Sequence, residues 1–274
     1  MTSRGCRRAR TLASIRRIRY ACRRVTPLQI DVYPTDAEAF EAAAALAATR
    51  LREAAAGRRA TAALAGGRSG RGVMVALAAR GDLPWDRIDW LWGDERCVPP
   101  DDPRSNVRLA RDSLFVPRGI AAARIHPPPL ELGDPTRIAE AYAATVAARL
   151  EESGGAFDLV LLGMGDDGHV ASLAPRSRAL DATTPVAAVA AEEMGTEPRV
   201  ARVTLTPPVL RAARAVIVTA TGDAKAAIVA AAMREGAARE LPARLVQPSE
   251  RVTWVIDRAA AAELLRGARP ADPA

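Results

Sequence analysis

The chain contains only two histidines, and one of them, His169, ends the segment Gly163-Met164-Gly165-Asp166-Asp167-Gly168-His169. Imidazole titrates nearer neutrality than any other side chain, so a histidine presented by a sharp turn is a candidate general base. The glycines let the backbone turn at the end of the apolar run Phe157–Leu162, and Asp167 can orient the ring or balance its charge. The same letters spell a G-x-G-x-x-G, which alone is a weak dinucleotide signature. Two aspartates would stand where a pyrophosphate has to be held, and Pro175 arrives where a long helix should run. No ribose-binding acid follows on a next strand. The segment therefore favours a catalytic histidine over nucleotide binding. His126, followed by three prolines, reads as structural.

Three other segments carry charge or can bind an anion. Gly93-Asp94-Glu95-Arg96 sets two acids beside a guanidinium suited to bidentate phosphate or carboxylate recognition, although it could equally be a self-satisfied ion cluster. Lys225 is the single lysine among 39 basic residues and lies in Thr221-Gly222-Asp223-Ala224-Lys225, a turn opening a helix. An ammonium there can meet an anion, or simply sit on a solvated face. Gly66-Gly67-Arg68-Ser69-Gly70 is a glycine-rich strand-to-helix turn whose backbone N–H groups make an anion cradle, with a packing turn as the alternative. It lacks the G-x-x-x-x-G-K-[ST] spacing of a P-loop.

The elements that must position these residues alternate along the chain. Asp36 to about Ala56 reads as an alanine-rich helix with Thr35 or Asp36 as N-cap, and Thr61–Ala65 as a strand followed by a helix to about Arg80. Ile88–Trp92 reads as a strand, Gly93–Arg96 as a charged loop, and Ser105–Phe115 and Asp134–Glu152 as helices. Phe157–Leu162 is the clearest buried strand. Arg202–Leu205, Ala215–Ala220 and Arg251–Ile256 follow as strands, with helices at about Asp223–Arg234 and Ala259–Arg266. Such alternation predicts an α/β fold: a doubly wound, mostly parallel, Rossmann-like sheet with helices on both faces. Ligands in that architecture bind beyond the carboxyl ends of the strands, which directs attention to the loops after Ala65, Trp92, Leu162 and Ala220.

Composition narrows the class of function. The net charge of +7 is uneven: residues 1–24 hold nine arginines and no acid, and the remainder carries 30 basic against 32 acidic residues. The main body is near neutral, so no nucleic-acid partner is expected. The leader reads as unstructured or as a start assigned too far upstream, with a basic arm or a transit peptide as alternatives. Residues 25–274 read as one domain. No apolar run reaches membrane-spanning length, so no membrane partner is expected. Cys6, Cys22 and Cys97 have neither disulfide-framework nor zinc spacing, and an odd count without a secretory h-region points to the cytoplasm.

Pro84–Ala110 (PWDRIDWLWGDERCVPPDDPRSNVRLA), Phe157–Pro175 (FDLVLLGMGDDGHVASLAP), Arg202–Leu210 (RVTLTPPVL) and Thr221–Lys225 (TGDAK) occur in that order. Together they resemble the 6-phosphogluconolactonase family within the wider glucosamine-6-phosphate isomerase superfamily, over about residues 28–266. The resemblance implies cofactor-free and metal-free hydrolysis of a small phosphorylated sugar lactone, 6-phospho-D-glucono-1,5-lactone, by a monomer or small homo-oligomer. It implies that His169 activates water, supported by Asp167, and that Arg96 contacts substrate. Arg202 and Lys225 match basic positions that contact phosphate or the developing oxyanion, and Gly66, Gly67, Arg68, Ser69, Asp94 and Glu95 complete the expected binding set.

The sequence also departs from the family pattern. The usual SGGSTP is here Ala65-Gly66-Gly67-Arg68-Ser69-Gly70, so two hydroxyl positions and the proline are replaced. Arg68 could add a compensating charge or fill the pocket. Val170 stands where threonine is usual, and Ala174 where phenylalanine is. Two rival readings keep most of these features. An amino-sugar-phosphate isomerase or deaminase would need Asp94 or Glu95 as a second base. A non-enzymatic sugar-phosphate-binding regulator would need a DNA-reading element for which residues 1–24 are too short.

Overall fold

The computed structural model describes residues 16–20, 28–247 and 249–267. Ten strands are seen among them: β1 (Arg16–Tyr20), β2 (Leu28–Tyr33), β3 (Ala60–Leu64), β4 (Ile88–Trp92), β5 (Asp94–Arg96), β6 (Leu159–Gly163), β7 (Val186–Val189), β8 (Arg202–Leu205), β9 (Val216–Ala220) and β10 (Val252–Asp257). The helices are α1 (Asp36–Ala55), α2 (Gly67–Ala78), α3 (Asn106–Ala110), α4 (Val116–Arg118), α5 (Pro135–Glu152), α6 (Pro207–Ala212), α7 (Ala226–Ala232) and α8 (Ala262–Gly267).

Seven strands form the main sheet in the order β1-β2-β10-β9-β6-β3-β4, parallel except for the antiparallel edge strand β1. Strand β1 lies inside the leader that the sequence reads as unstructured; residues 1–15 and 21–24 lie outside the described residues. Alternate side chains along each central strand enter separate cores. Leu159 and Leu161 of β6 pack with α1 and α2, whereas Val160 and Leu162 pack with α5, α7 and α8. That period-2 division on a continuously apolar strand is what a sheet covered on both faces requires. Helix α1 presents Ala39, Ala43, Ala47, Leu51 and Ala55 to its core, small residues that allow close approach. Thr35 caps it by accepting from the Glu38 N–H at 3.2 Å.

A second sheet, in the order β5-β8-β7 and antiparallel throughout, was not legible as such. Gly93–Arg96 is not a loop: Asp94–Arg96 is a strand, and Arg202–Leu205 pairs with it rather than with the main sheet. The junction is built at Trp92, whose N–H donates to the Tyr142 hydroxyl at 2.7 Å while that hydroxyl donates to the Trp92 carbonyl at 3.1 Å. With the strand end satisfied by a side chain, the backbone leaves the sheet. The Gly93 N–H then donates to the Leu64 carbonyl at 2.9 Å, and the Leu205 N–H to the Gly93 carbonyl at 2.8 Å. The expected helix from Ser105 is broken differently: α3 passes into a π-helical turn at Arg111–Phe115 before α4.

Chain order reverses between β3 and β6: β3 leads to β4 on one side, and β6 to β9 on the other. Such a switch opens a crevice at the carboxyl ends of the two strands.

Candidate active site

A cavity of about 240 Å³ fills that crevice. The loops after β3, β6 and β9, together with β5 and β8, supply its walls. Gly66, Gly67, Arg68, Ser69, Asp94, Arg96, His169, Arg202 and Lys225 all line it. Asp167 lies behind His169, and Glu95 points elsewhere.

The His169 ring is held by its own loop. Nδ1 lies 2.6 Å from Asp167 Oδ1, and the same oxygen accepts the His169 backbone N–H at 3.1 Å. Burial alone would raise the Asp167 carboxyl, but the hydrogen bond and charge of His169 carry it below its ordinary value. A carboxylate on Nδ1 favours the tautomer with its proton there, leaving Nε2 as the basic nitrogen. The loop glycines serve this placement. A Cβ on Gly165 would lie 2.1 Å from Nδ1 and 2.2 Å from Cε1 of His169, so only glycine leaves room for the ring. Gly168 has φ +79°, and its Cβ would lie 2.1 Å from Leu241 Cδ1.

On the facing wall, β5 and β8 pair in a register that sets Arg96 opposite Arg202. Arg202 is 2% exposed, and burial lowers its pKa, with Asp94 opposing that shift. Its Nη2 donates to the Pro198 carbonyl at 2.9 Å, its Nη1 reaches Ser172 Oγ at 3.5 Å, and Asp94 Oδ2 stands 3.9 Å from Nη1. Ser172 donates to Asp94 Oδ2 at 2.6 Å, so Asp94 braces the wall. Arg96 donates from Nη1 to the Arg104 carbonyl at 2.5 Å.

Glu95 is fully buried and turns away from the cavity. It accepts the backbone N–H groups of Arg96, Asn106 and Val107 and the Ser105 hydroxyl, at 2.5 to 3.0 Å. The expectation that it contacts substrate is therefore replaced by a structural role: it anchors the start of α3 to β5. The sidedness of a strand explains the difference, since Asp94 and Arg96 share one face and Glu95 the other. Asn106 extends the anchor by donating to the Asp94 carbonyl at 2.9 Å, and a Cβ on Gly66 would lie 2.0 Å from Asn106 Oδ1.

Lys225 donates to the Met164 carbonyl at 2.6 Å and pairs with Asp166 Oδ1 at 2.5 Å. Residues that sequence reasoning did not place in the site are Asp166, Ala171, Thr196 and Glu197 on its surface, and Ser172 behind it. The stretch around Thr196 and Glu197 carries no hydrophobic period, although Gly195 and Pro198 mark it as a turn; Ser172 was within reach, three residues beyond His169. His126 sits away from the cavity, 3.0 Å from buried Asp89, as a structural histidine should. Among the described residues, no group of three or more His, Cys, Asp and Glu side chains is arranged to hold a metal. None of the described helices is long and apolar enough to cross a membrane.

Residues 34–254 match the family model described as glucosamine-6-phosphate isomerases/6-phosphogluconolactonase. A 6-phosphogluconolactonase of Synechocystis is 36% identical over 241 residues, covering 86% of this chain and 98% of that protein. One from Streptomyces coelicolor is 38% identical over 242 residues, covering 84% and 92% respectively. Among solved structures, the 6-phosphogluconolactonase of Trypanosoma brucei superposes with a TM-score of 0.74 at 28% identity, covering 86% of this chain and 98% of that one.

Proposed function

The chain belongs to the glucosamine-6-phosphate isomerase/6-phosphogluconolactonase family, and from that premise we infer that it hydrolyses 6-phospho-D-glucono-1,5-lactone to 6-phospho-D-gluconate, the lactone step of the oxidative pentose phosphate pathway. One observation carries the mechanism: the Asp167–His169 pair stands at the edge of a cavity lined by four cationic side chains.

His169 Nε2 takes a proton from water as the water oxygen bonds to the lactone C1. The carbonyl π electrons move onto oxygen, and Asp167 steadies the imidazolium that forms. When the tetrahedral intermediate collapses, the bond from C1 to the ring oxygen breaks, and Nε2 returns its proton to that oxygen. One water is consumed, and the carboxylic acid product releases its proton to solvent. Fixed cations and the N–H groups of the β3 turn stabilise charge that appears only as the carbonyl is attacked. A lactone is reactive enough that a base plus orientation replaces a covalent nucleophile.

The isomerase or deaminase alternative is not favoured. Its two candidate bases are Glu95, which faces away, and Asp94, which is engaged by Ser172 and Arg202. Cys97, the described cysteine, is free, and such cysteine usage supports a cytoplasmic location.

The test is lactone hydrolysis by purified protein, corrected for the spontaneous reaction, beside His169→Ala. The variant should lose roughly 10²- to 10⁴-fold in kcat while keeping its unfolding midpoint. Equal rates for both proteins would remove His169 from the mechanism.

A further inference from the structure

Hydrolysis adds a charge inside a cavity that is already lined by Arg68, Arg96, Arg202 and Lys225. The phosphorylated lactone is neutral at C1, whereas its product carries a carboxylate there. Cations near C1 hold that product more tightly than the substrate it came from, unless an acid offsets them. Three acids line the cavity: Asp94, Asp166 and Glu197. Two of them are committed. Asp94 accepts from Ser172 and stands 3.9 Å from Arg202, and Asp166 is paired with Lys225. Glu197 is engaged only from outside. It accepts the Arg199 backbone N–H at 3.0 Å, and the Arg199 guanidinium stands 3.7 Å away, beyond the cavity lining. The Arg199 and Glu197 side chains are 68% and 82% exposed, so the pair is weak and the acid's charge stays largely unspent.

The segment that carries Glu197 lies at the reaction end of the cavity. A Cβ on Gly195 would lie 3.2 Å from Asp167 Oδ2, so the backbone there packs on the carboxylate that holds His169. Beyond Glu197, the Pro198 carbonyl accepts from Arg202 Nη2 at 2.9 Å. Met194 is buried in the core and roots the segment from below. Glu197 thus lines the cavity between a tie to the partner of the general base and a tie to the buried cation. We propose that Glu197 is a specificity-determining residue that disfavours the product: its negative charge at the reaction end opposes the C1 carboxylate of 6-phospho-D-gluconate and leaves the neutral lactone little affected. The proposal rests on the lactonase reading and adds to it the group that tells substrate from product in a cationic cavity. One charge acting through space at a solvated rim shifts a binding constant by roughly 3- to 10-fold, and salt screens it.

The experiment uses Glu197→Gln and Arg199→Gln in the full chain. Glutamine at 197 keeps the acceptor for the Arg199 N–H and removes the charge. Calorimetry measures binding of 6-phospho-D-gluconate and of 1,5-anhydro-D-glucitol 6-phosphate, which keeps the ring and phosphate but has no charge at C1. Progress curves with the lactone give KM and the product inhibition constant. Glu197→Gln should tighten 6-phospho-D-gluconate and lower its inhibition constant roughly 3- to 10-fold at low salt, an effect that fades as ionic strength rises. KM and the affinity for the uncharged analogue should move much less. Arg199→Gln removes the opposing cation and should weaken product binding. Unchanged product affinity in Glu197→Gln, an equal gain for both ligands, or tightening by both variants overturns the proposal. Weaker binding of both ligands by Glu197→Gln overturns it too, and makes Glu197 an acceptor for a sugar hydroxyl. If the parent binds both ligands but hydrolyses no lactone, while Glu197→Gln still tightens the carboxylate ligand alone, the lactonase reading falls and the Glu197 assignment stands.

Discussion

The two ends of the main sheet handle buried charge in opposite ways. At the amino ends, Asp158 precedes β6 and is almost entirely buried, yet both of its oxygens are saturated. Arg58 Nη2 and Arg214 Nη1 reach Oδ1 at 2.5 and 3.2 Å; Arg58 Nη1 and the Thr61 N–H reach Oδ2 at 2.8 and 2.9 Å. Asp89, nearby in β4, is answered by Arg124 and His126. At the carboxyl ends, Arg96 Nε, Arg202 Nε, Asp167 Oδ2, Asn106 Oδ1 and Thr221 Oγ1 are buried without a hydrogen-bond partner. A buried polar atom left unpaired costs about 1–3 kcal/mol, so a cluster of them needs a reason. The same fold satisfies Asp158 fully at one end and leaves these five polar atoms unanswered at the other, although Trp85 Nε1 and Arg118 Nε, stacked together just before β4, are unpaired as well. The contrast separates charge that holds the sheet together from charge kept available for a ligand.

The sharpest test removes a buried cation from the carboxyl end. Arg202→Met should lower kcat/KM by roughly 10²- to 10³-fold. Removing one partner of a buried pair costs stability, but Asp94 stands 3.9 Å from Arg202 and keeps its Ser172 hydrogen bond, so the loss to denaturant should be about 1–2 kcal/mol, below that of Asp158→Ala. A variant that loses stability and keeps its rate would break the comparison. Asp158→Ala should do the reverse, costing roughly 2–4 kcal/mol in urea unfolding while the folded fraction keeps its turnover.

The smallest effect concerns Glu95, which belongs to neither class. Burial pushes its carboxyl from 4.5 up to about 7, against the hydrogen bonds of the Asn106, Val107 and Arg96 amides and the Ser105 hydroxyl. The folded state therefore holds this proton more tightly than the unfolded state. Its contribution to stability is fully present below about pH 4.5 and is lost as the pH rises through about 7. Unfolding free energy measured across that window should fall with pH in the parent, and Glu95→Gln should remove that part of the slope.

Much of this was legible in the sequence, and the misses have physical causes. Parallel strands buried on both faces leave continuous apolar runs, so β6 and β9 were plain within two residues. Thr35, one of the two N-caps offered for the first helix, does cap it, and the rule that ligands sit at strand carboxyl ends pointed to the loops whose His169, Arg96 and Lys225 line one cavity. The second sheet left no such trace. A strand of three charged residues, Asp94–Arg96, has no hydrophobic period, and its partner lies more than a hundred residues away. Missing that pairing hid why Arg202 faces Arg96, and why Glu95, one residue from two cavity side chains, faces the opposite way. Thr196 and Glu197 reach the cavity only through the path of an irregular segment, which local sequence does not encode.

Lys225 is the only lysine in 274 residues, and its ammonium lies at the cavity between Met164 and Asp166. A typical soluble protein scatters primary amines over its surface, so amine-directed reagents label it at many unrelated points. This chain offers such reagents one side-chain target, and that target is in the site. A single acylation, Schiff-base reduction or isotope-tagged methyl group on an ε-amine would therefore report on the cavity alone. Arginine has taken over everywhere else, and the site thereby carries its own unique chemical address.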